Sequence, residues 1–203
     1  MKKTKEFLKN VLLILAVALI IAAVPTDEEA AIYEDTVRLH ILANSDSEYD
    51  QALKLKIRDK VLLKYGEMLG TSEDKESAVE NIQALKNDIK ADVDSWIIEL
   101  GADYRSEVEI GYEWYETRVY EDFTLPSGYY SSLRIMLGES EGQNWWCVMY
   151  PPLCLDIATA NDDSSPVGYS EAESKLITSD GYAVKFKILE LMSEALADFS
   201  KNG

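Results

Sequence analysis

The sequence predicts an α+β domain: an antiparallel sheet of three to four strands packed with about three helices, set behind an N-terminal signal or anchor segment. Three observations predict it. Apolar residues recur at helical spacing between residues 48 and 100. From about residue 107 the spacing shortens to two, the period of a half-buried strand. Before either pattern, the chain opens on lysines followed by an uninterrupted apolar run.

That opening carries Lys2, Lys3, Lys5 and Lys9 against a single Glu6, and the run from Val11 to Val24 has no polar side chain. Pro25 ends it, and Asp27, Glu28 and Glu29 follow. Positive charge on one side and negative charge on the other orient such a segment for export. The run is 14 residues, short of the roughly 20 that span a bilayer as a helix. This suits the apolar core of a signal peptide, with an uncleaved anchor as the alternative. The expected organisation is a signal peptide or N-terminal membrane anchor over 1–25, a linker over 26–34, and a single extracytoplasmic domain over 35–203.

The chain as a whole is −17. Beyond residue 25 it holds 16 Lys and Arg against 36 Asp and Glu. Such an acidic domain lacks the clustered basic groups that nucleic-acid binding needs. It is also repelled by anionic membrane surfaces, so membrane contact is expected only through the N-terminal segment.

Within the domain, Thr36 to Ala43 alternates, with Val37, Leu39 and Ile41 on one face and Arg38, His40 and Leu42 on the other. The turn Asn44-Ser45-Asp46-Ser47 offers helix caps. A helix is expected from about Glu48 to Leu69, with Leu53, Ile57, Val61, Tyr65 and Met68 as its core stripe and Lys54, Lys56, Arg58, Lys60 and Lys64 elsewhere. A second is expected from about Ser72 to Leu100, capped by Gly101. Strands follow at Val108 to Trp114, Ser131 to Leu137 and Asn144 to Tyr150, and their short connections predict an antiparallel meander. A last helix is expected from about Tyr182 to Phe199.

No motif selects a reaction. His40 is the only histidine, and Ser45 and Asp46 nearby lack the elbow that presents a serine nucleophile. One histidine and two cysteines fall short of a zinc set, and no glycine-rich phosphate loop is present. No catalytic residue, metal or cofactor is therefore expected. Cys147 and Cys154 flank Tyr150-Pro151-Pro152. In an oxidising compartment a disulfide between them is favoured over two buried thiols, on compartment rather than geometry.

Two long blocks, Arg38 to Leu62 (RLHILANSDSEYDQALKLKIRDKVL) and Asn144 to Cys154 (NWWCVMYPPLC), resemble signature blocks of the stage II sporulation protein R family of endospore-forming Firmicutes. Thr117 to Tyr120 with Thr124 to Tyr129 is similar to that family's middle block, and Lys185 to Glu190 to its closing helix. The resemblance implies a protein made in the forespore and secreted into the space between the forespore and mother-cell membranes. There it would activate a membrane-bound aspartic protease that processes a mother-cell sigma-factor precursor. It implies no catalytic residue. The alternatives are an extracytoplasmic envelope hydrolase and a cell-wall-binding domain.

The expected partner-facing surface combines the first strand and its turn with the basic helix behind it: Arg38, His40, Asn44, Asp46, Arg58 and Lys60, together with Trp145. A local field opposite in sign to the rest of the chain steers a partner. The competing reading is that Asn44 and Asp46 cap the helix and the basic groups pair within the chain.

Overall fold

The computed structural model describes residues 26–66, 68, 71–120, 123–153 and 169–179, and positions 5–7, 9–11, 13, 14, 17, 182, 184–187, 190 and 191 in the flanking segments. Most of the expected signal segment, Cys154 and the end of the expected last helix lie outside the described residues. Among the described residues no helix is long and apolar enough to cross a membrane.

The expected linker over 26–34 is instead a helix, α1 (Asp27–Glu34). Thr26 and Glu29 form a capping box that satisfies the first free N–H groups. Ile32 enters the core at 0% exposure, and Tyr33 donates a 3.1 Å hydrogen bond to the Ser127 carbonyl. Strand β1 (Val37–Leu42) follows, then α2 (Glu48–Val61), continued by a π-helical turn over Leu62–Gly66. Ser47 caps α2 by accepting from the Asp50 N–H. Helix α3 (Lys75–Glu99) is the longest element, with Asp74 as its cap and Gly101 at positive φ just beyond it. Next come β2 (Ser106–Tyr115), the short strands β3 (Arg118–Val119) and β4 (Thr124–Leu125), β5 (Gly128–Leu137) and β6 (Asn144–Tyr150). Helix α4 (Glu171–Ile177) begins with a second capping box, Ser170 with Glu173.

The main sheet runs β2-β5-β1-β6, and β3-β4 is a separate ribbon. The α+β class stands, but the sheet is mixed rather than antiparallel. Strand β1 lies parallel to β5, with Leu39 opposite Leu133, and antiparallel to β6, with Leu39 opposite Cys147. Only β2 and β5 form a pair of the expected meander. The chain after β5 crosses the end of β1 before returning as β6, so β5 and β6 are separated by the first strand. Local spacing carries no signal for that insertion.

Alternation sorts the side chains onto two faces. Leu39, Ile41, Val108, Leu133, Ile135 and Cys147 point toward α2 and α3, whose stripes of Leu53, Ile57, Val61, Ile82, Ile89, Val93 and Ile97 are buried with them. The strand expected from Val108 to Trp114 does not bury its aromatic end. Tyr112 and Trp114 remain 64% and 52% exposed, beside the exposed ring of Tyr129. Met68 is likewise 48% exposed.

Candidate functional site

The second face of the sheet gathers the chemistry. Register places Arg38 beside Ser132, His40 between Arg134 and Trp146, and Glu113 beside Tyr130. One end of this face is covered by α1 and the β3–β4 ribbon, through Tyr33 against Tyr130 and Tyr120 against Arg38. Toward the other end, His40, Arg134 and Trp146 are half-buried and Asn144 is exposed.

Glu113 is the hub. One carboxylate oxygen accepts from Ser132 Oγ (2.8 Å), His40 Nδ1 (3.3 Å) and Tyr115 Oη (3.3 Å), and the other accepts from Arg134 Nη1 (2.9 Å). Arg134 also binds Glu109. Burial pushes the Glu113 carboxyl up, but the hydrogen bonds from His40 and Ser132 and the charges of His40 and Arg134 outweigh it, holding the group at about 2. The other ring nitrogen of His40 meets Asn144 Oδ1 at 2.9 Å, and the ring stacks on Trp146 at 5.4 Å between centroids. The Arg118 guanidinium covers the same indole at 3.7 Å.

Behind this cluster Arg38 is wholly buried. Its guanidinium lies 4.4 Å from the Tyr115 ring centroid and 5.1 Å from that of Tyr130, and Nη2 donates to Tyr120 Oη at 2.9 Å. Burial raises the Tyr130 phenol well above its usual range, with Arg38 pulling the other way.

The residues expected to form one partner surface fall into three places. Arg38 and His40 lie on this face. Arg58, Lys60 and Trp145 lie on the helix side, where Arg58 covers the Trp145 ring at 5.1 Å and Lys60 reaches Glu99 at 3.3 Å. Asn44 and Asp46 sit at the end of β1 and are engaged within the chain. Asn44 Nδ2 donates to Asp50 and Asn44 Oδ1 accepts from the Glu139 N–H, both at 2.9 Å, while Asp46 accepts from the Gln143 N–H at 2.8 Å. Asp50, 5% exposed, also collects the hydroxyls of Ser45, Ser47 and Tyr104. The turn is thus an anchor for α2 and for the loop over β1. Lys54 is buried at 4% exposure, its ammonium donating to Gln51 Oε1 and the Gln143 carbonyl at 2.7 Å each.

Sequence reading passed over Glu113, Arg118, Arg134 and Trp146 as a group. The alternation of Glu113, Arg134 and Trp146 on β2, β5 and β6 was visible, but which strands are neighbours was not. Cys147 is buried in β6. Among the described residues no group of His, Cys, Asp and Glu is arranged to hold a metal ion.

Fold and face together define an α+β domain with a mixed sheet, one face packed on helices and the other bearing a charged, aromatic-lined cluster. Residues 33–160 match the family model of stage II sporulation protein R, and the chain belongs to that family. It is 29% identical over 221 aligned positions to the Stage II sporulation protein R of Bacillus subtilis (strain 168), covering 96% of this chain and 99% of that relative. No solved structure matches. A role in sporulation follows from the family.

Proposed function

We propose that this protein is an exported sporulation signal. In this reading it leaves the forespore, docks from the intermembrane space on a membrane-bound aspartic protease, and thereby triggers processing of a mother-cell sigma-factor precursor. The observation that carries the reading is the family match across 33–160, preceded by the lysine-rich, apolar segment of residues 1–25.

The geometry supports binding over turnover. Both ring nitrogens of His40 are engaged, by Glu113 and Asn144, and the Ser132 hydroxyl is directed to Glu113 instead of to the imidazole. A serine nucleophile needs its base within hydrogen-bond reach. The His40–Glu113 pair is the feature that favours the second reading, an envelope hydrolase using an acid–base pair.

The test is precursor processing in sporulating cells that lack the native gene. The full chain should restore cleavage, and a version without residues 1–25 should not. Cleavage that proceeds without the gene, or that the cytosolic version restores fully, would sink the proposal. Wall-degrading activity in the purified chain, lost on Glu113→Gln, would favour the hydrolase.

A further inference from the structure

Two arginines are held by aromatic rings in a chain that has 37 Asp and Glu to offer them. Lys60, Lys64, Lys90 and Arg134 each find a carboxylate. Among the described residues Arg38 and Arg118 do not. Arg38 is 0% exposed, yet its Nε and Nη1 have no hydrogen-bond partner among the described residues. Among the described residues its one acceptor is Tyr120 Oη, and the Tyr115, Tyr130 and Tyr120 rings lie 4.4, 5.1 and 6.0 Å from the guanidinium carbon. Ring faces offset part of a buried cation's lost hydration. They do not accept the in-plane N–H groups of a guanidinium, which leaves a buried charge only partly compensated.

Arg118 stands two residues before Tyr120, its guanidinium carbon 3.7 Å from the Trp146 ring centroid. Tyr120 feels both cations. Burial raises its phenol, and the charges of Arg38 and Arg118 pull it back. Arg38, with two open donors, thus meets the half-buried Tyr120, and Arg118, two residues before that tyrosine, lies over Trp146.

We propose that Arg38 and Arg118 form a binding site for a carboxylate, which enters beside Tyr120 and takes the open donors of Arg38. The chemistry fits a single planar anion: guanidinium groups pair with carboxylates through directed hydrogen bonds. Tyrosine and tryptophan rings wall the site, and the net charge of −17 disfavours polyanions such as nucleic acid or an anionic lipid surface. The site stands on these contacts alone and does not depend on the signalling reading.

The test uses the full chain, labelled with 15N-arginine and held in mild detergent at constant ionic strength. Sodium acetate replaces sodium chloride in one titration and N-acetylglutamate amide is added in another. The Nε–H signal of Arg38, assigned by its loss in Arg38→Lys, should shift saturably with acetate. Arg118→Gln, at a half-exposed position, should weaken that binding at least tenfold while leaving the other arginine signals in place. Response to the amino-acid probe as well points to a peptide side chain as the natural source, and response to acetate alone to a small free acid. The site is refuted if Arg38 does not respond to either probe, if Arg118→Gln binds acetate as the parent does, or if inorganic phosphate binds as tightly as acetate.

Discussion

Gly142 and Ser45 meet backbone to backbone. A Cβ on Gly142 would fall within contact of the Ser45 carbonyl carbon and oxygen and of the Ala43 methyl. The Gly142 N–H donates to the Ala43 carbonyl at 3.0 Å and the Glu141 N–H to the Asn44 carbonyl at 3.2 Å, so the loop between β5 and β6 is laced to the end of β1. Gly142→Ala should therefore destabilise the fold by about 1–3 kcal/mol, the usual cost of forced overpacking. Denaturant melts of parent and variant measure it. A loss below the error of the melt would show that the loop can simply move away.

Glu113 makes stability depend on acid. Its folded pKa, about 2, lies below the ordinary glutamate value of 4.5. A depressed carboxylate contributes stability that is fully present above the unfolded value and lost as pH falls through the folded one. The loss should thus develop between about pH 4.5 and 2. Glu113→Gln should be less stable near neutrality and show a flatter acid limb over that window. Parallel limbs in parent and variant would mean that other carboxylates set the acid transition.

The structure shows why some elements were legible in the sequence and others were not. Strand β1 was readable because Val37, Leu39 and Ile41 alternate with Arg38 and His40, and α2 and α3 because their stripes hold helical spacing. Two helices were missed although each carries a capping box, Thr26 with Glu29 and Ser170 with Glu173. Their short lengths gave no stripe to count. The neighbour relation of β1 and β5 joins Leu39 to Leu133, a pairing with no local trace. For the same reason the cluster around Glu113 was invisible: its members come from β1, β2, β5 and β6 and are assembled only by register. The basic helix was legible because charge is visible in sequence, whereas its partners Glu99 and Trp145 are distant along the chain.

The two cysteines give a chemical prediction. Cys147 is 2% exposed in β6, and Cys154 follows the Tyr150-Pro151-Pro152 turn. We expect exported protein to carry a Cys147–Cys154 bridge, seen by mass spectrometry as the loss of two hydrogen atoms in unreduced material. Cys154→Ser should then lower stability by about 2–3 kcal/mol, the chain-entropy value for a short loop. Two thiols that alkylate fully in exported protein would end the claim.

The two sides of the sheet separate the residues expected to face a partner. Arg38 and His40 lie across the sheet from Arg58 and Lys60, so no flat contact includes all four. We place the partner on the face bearing His40, Arg118 and Trp146. Arg118→Glu should reduce precursor processing severalfold. Lys60→Glu loses a surface pair worth under about 1 kcal/mol and should process normally. Equal processing by both variants, each verified as folded and exported, would move the contact elsewhere, with the exposed rings of Tyr112, Trp114 and Tyr129 next to test.

The insertion of β1 between β5 and β6 sets an order of assembly. The first strand to be synthesised finds neither of its neighbours until the chain through Leu137 and Tyr150 has been made. Until then its apolar edge residues have no ladder to join, and contacts so distant along the chain form slowly. A nascent chain halted before β5 holds α2 and α3 but no sheet to lay them on. Such a polypeptide lacks the sheet that buries its core, a state suited to the export proposed above. Closure of the sheet comes only with the last strand, β6.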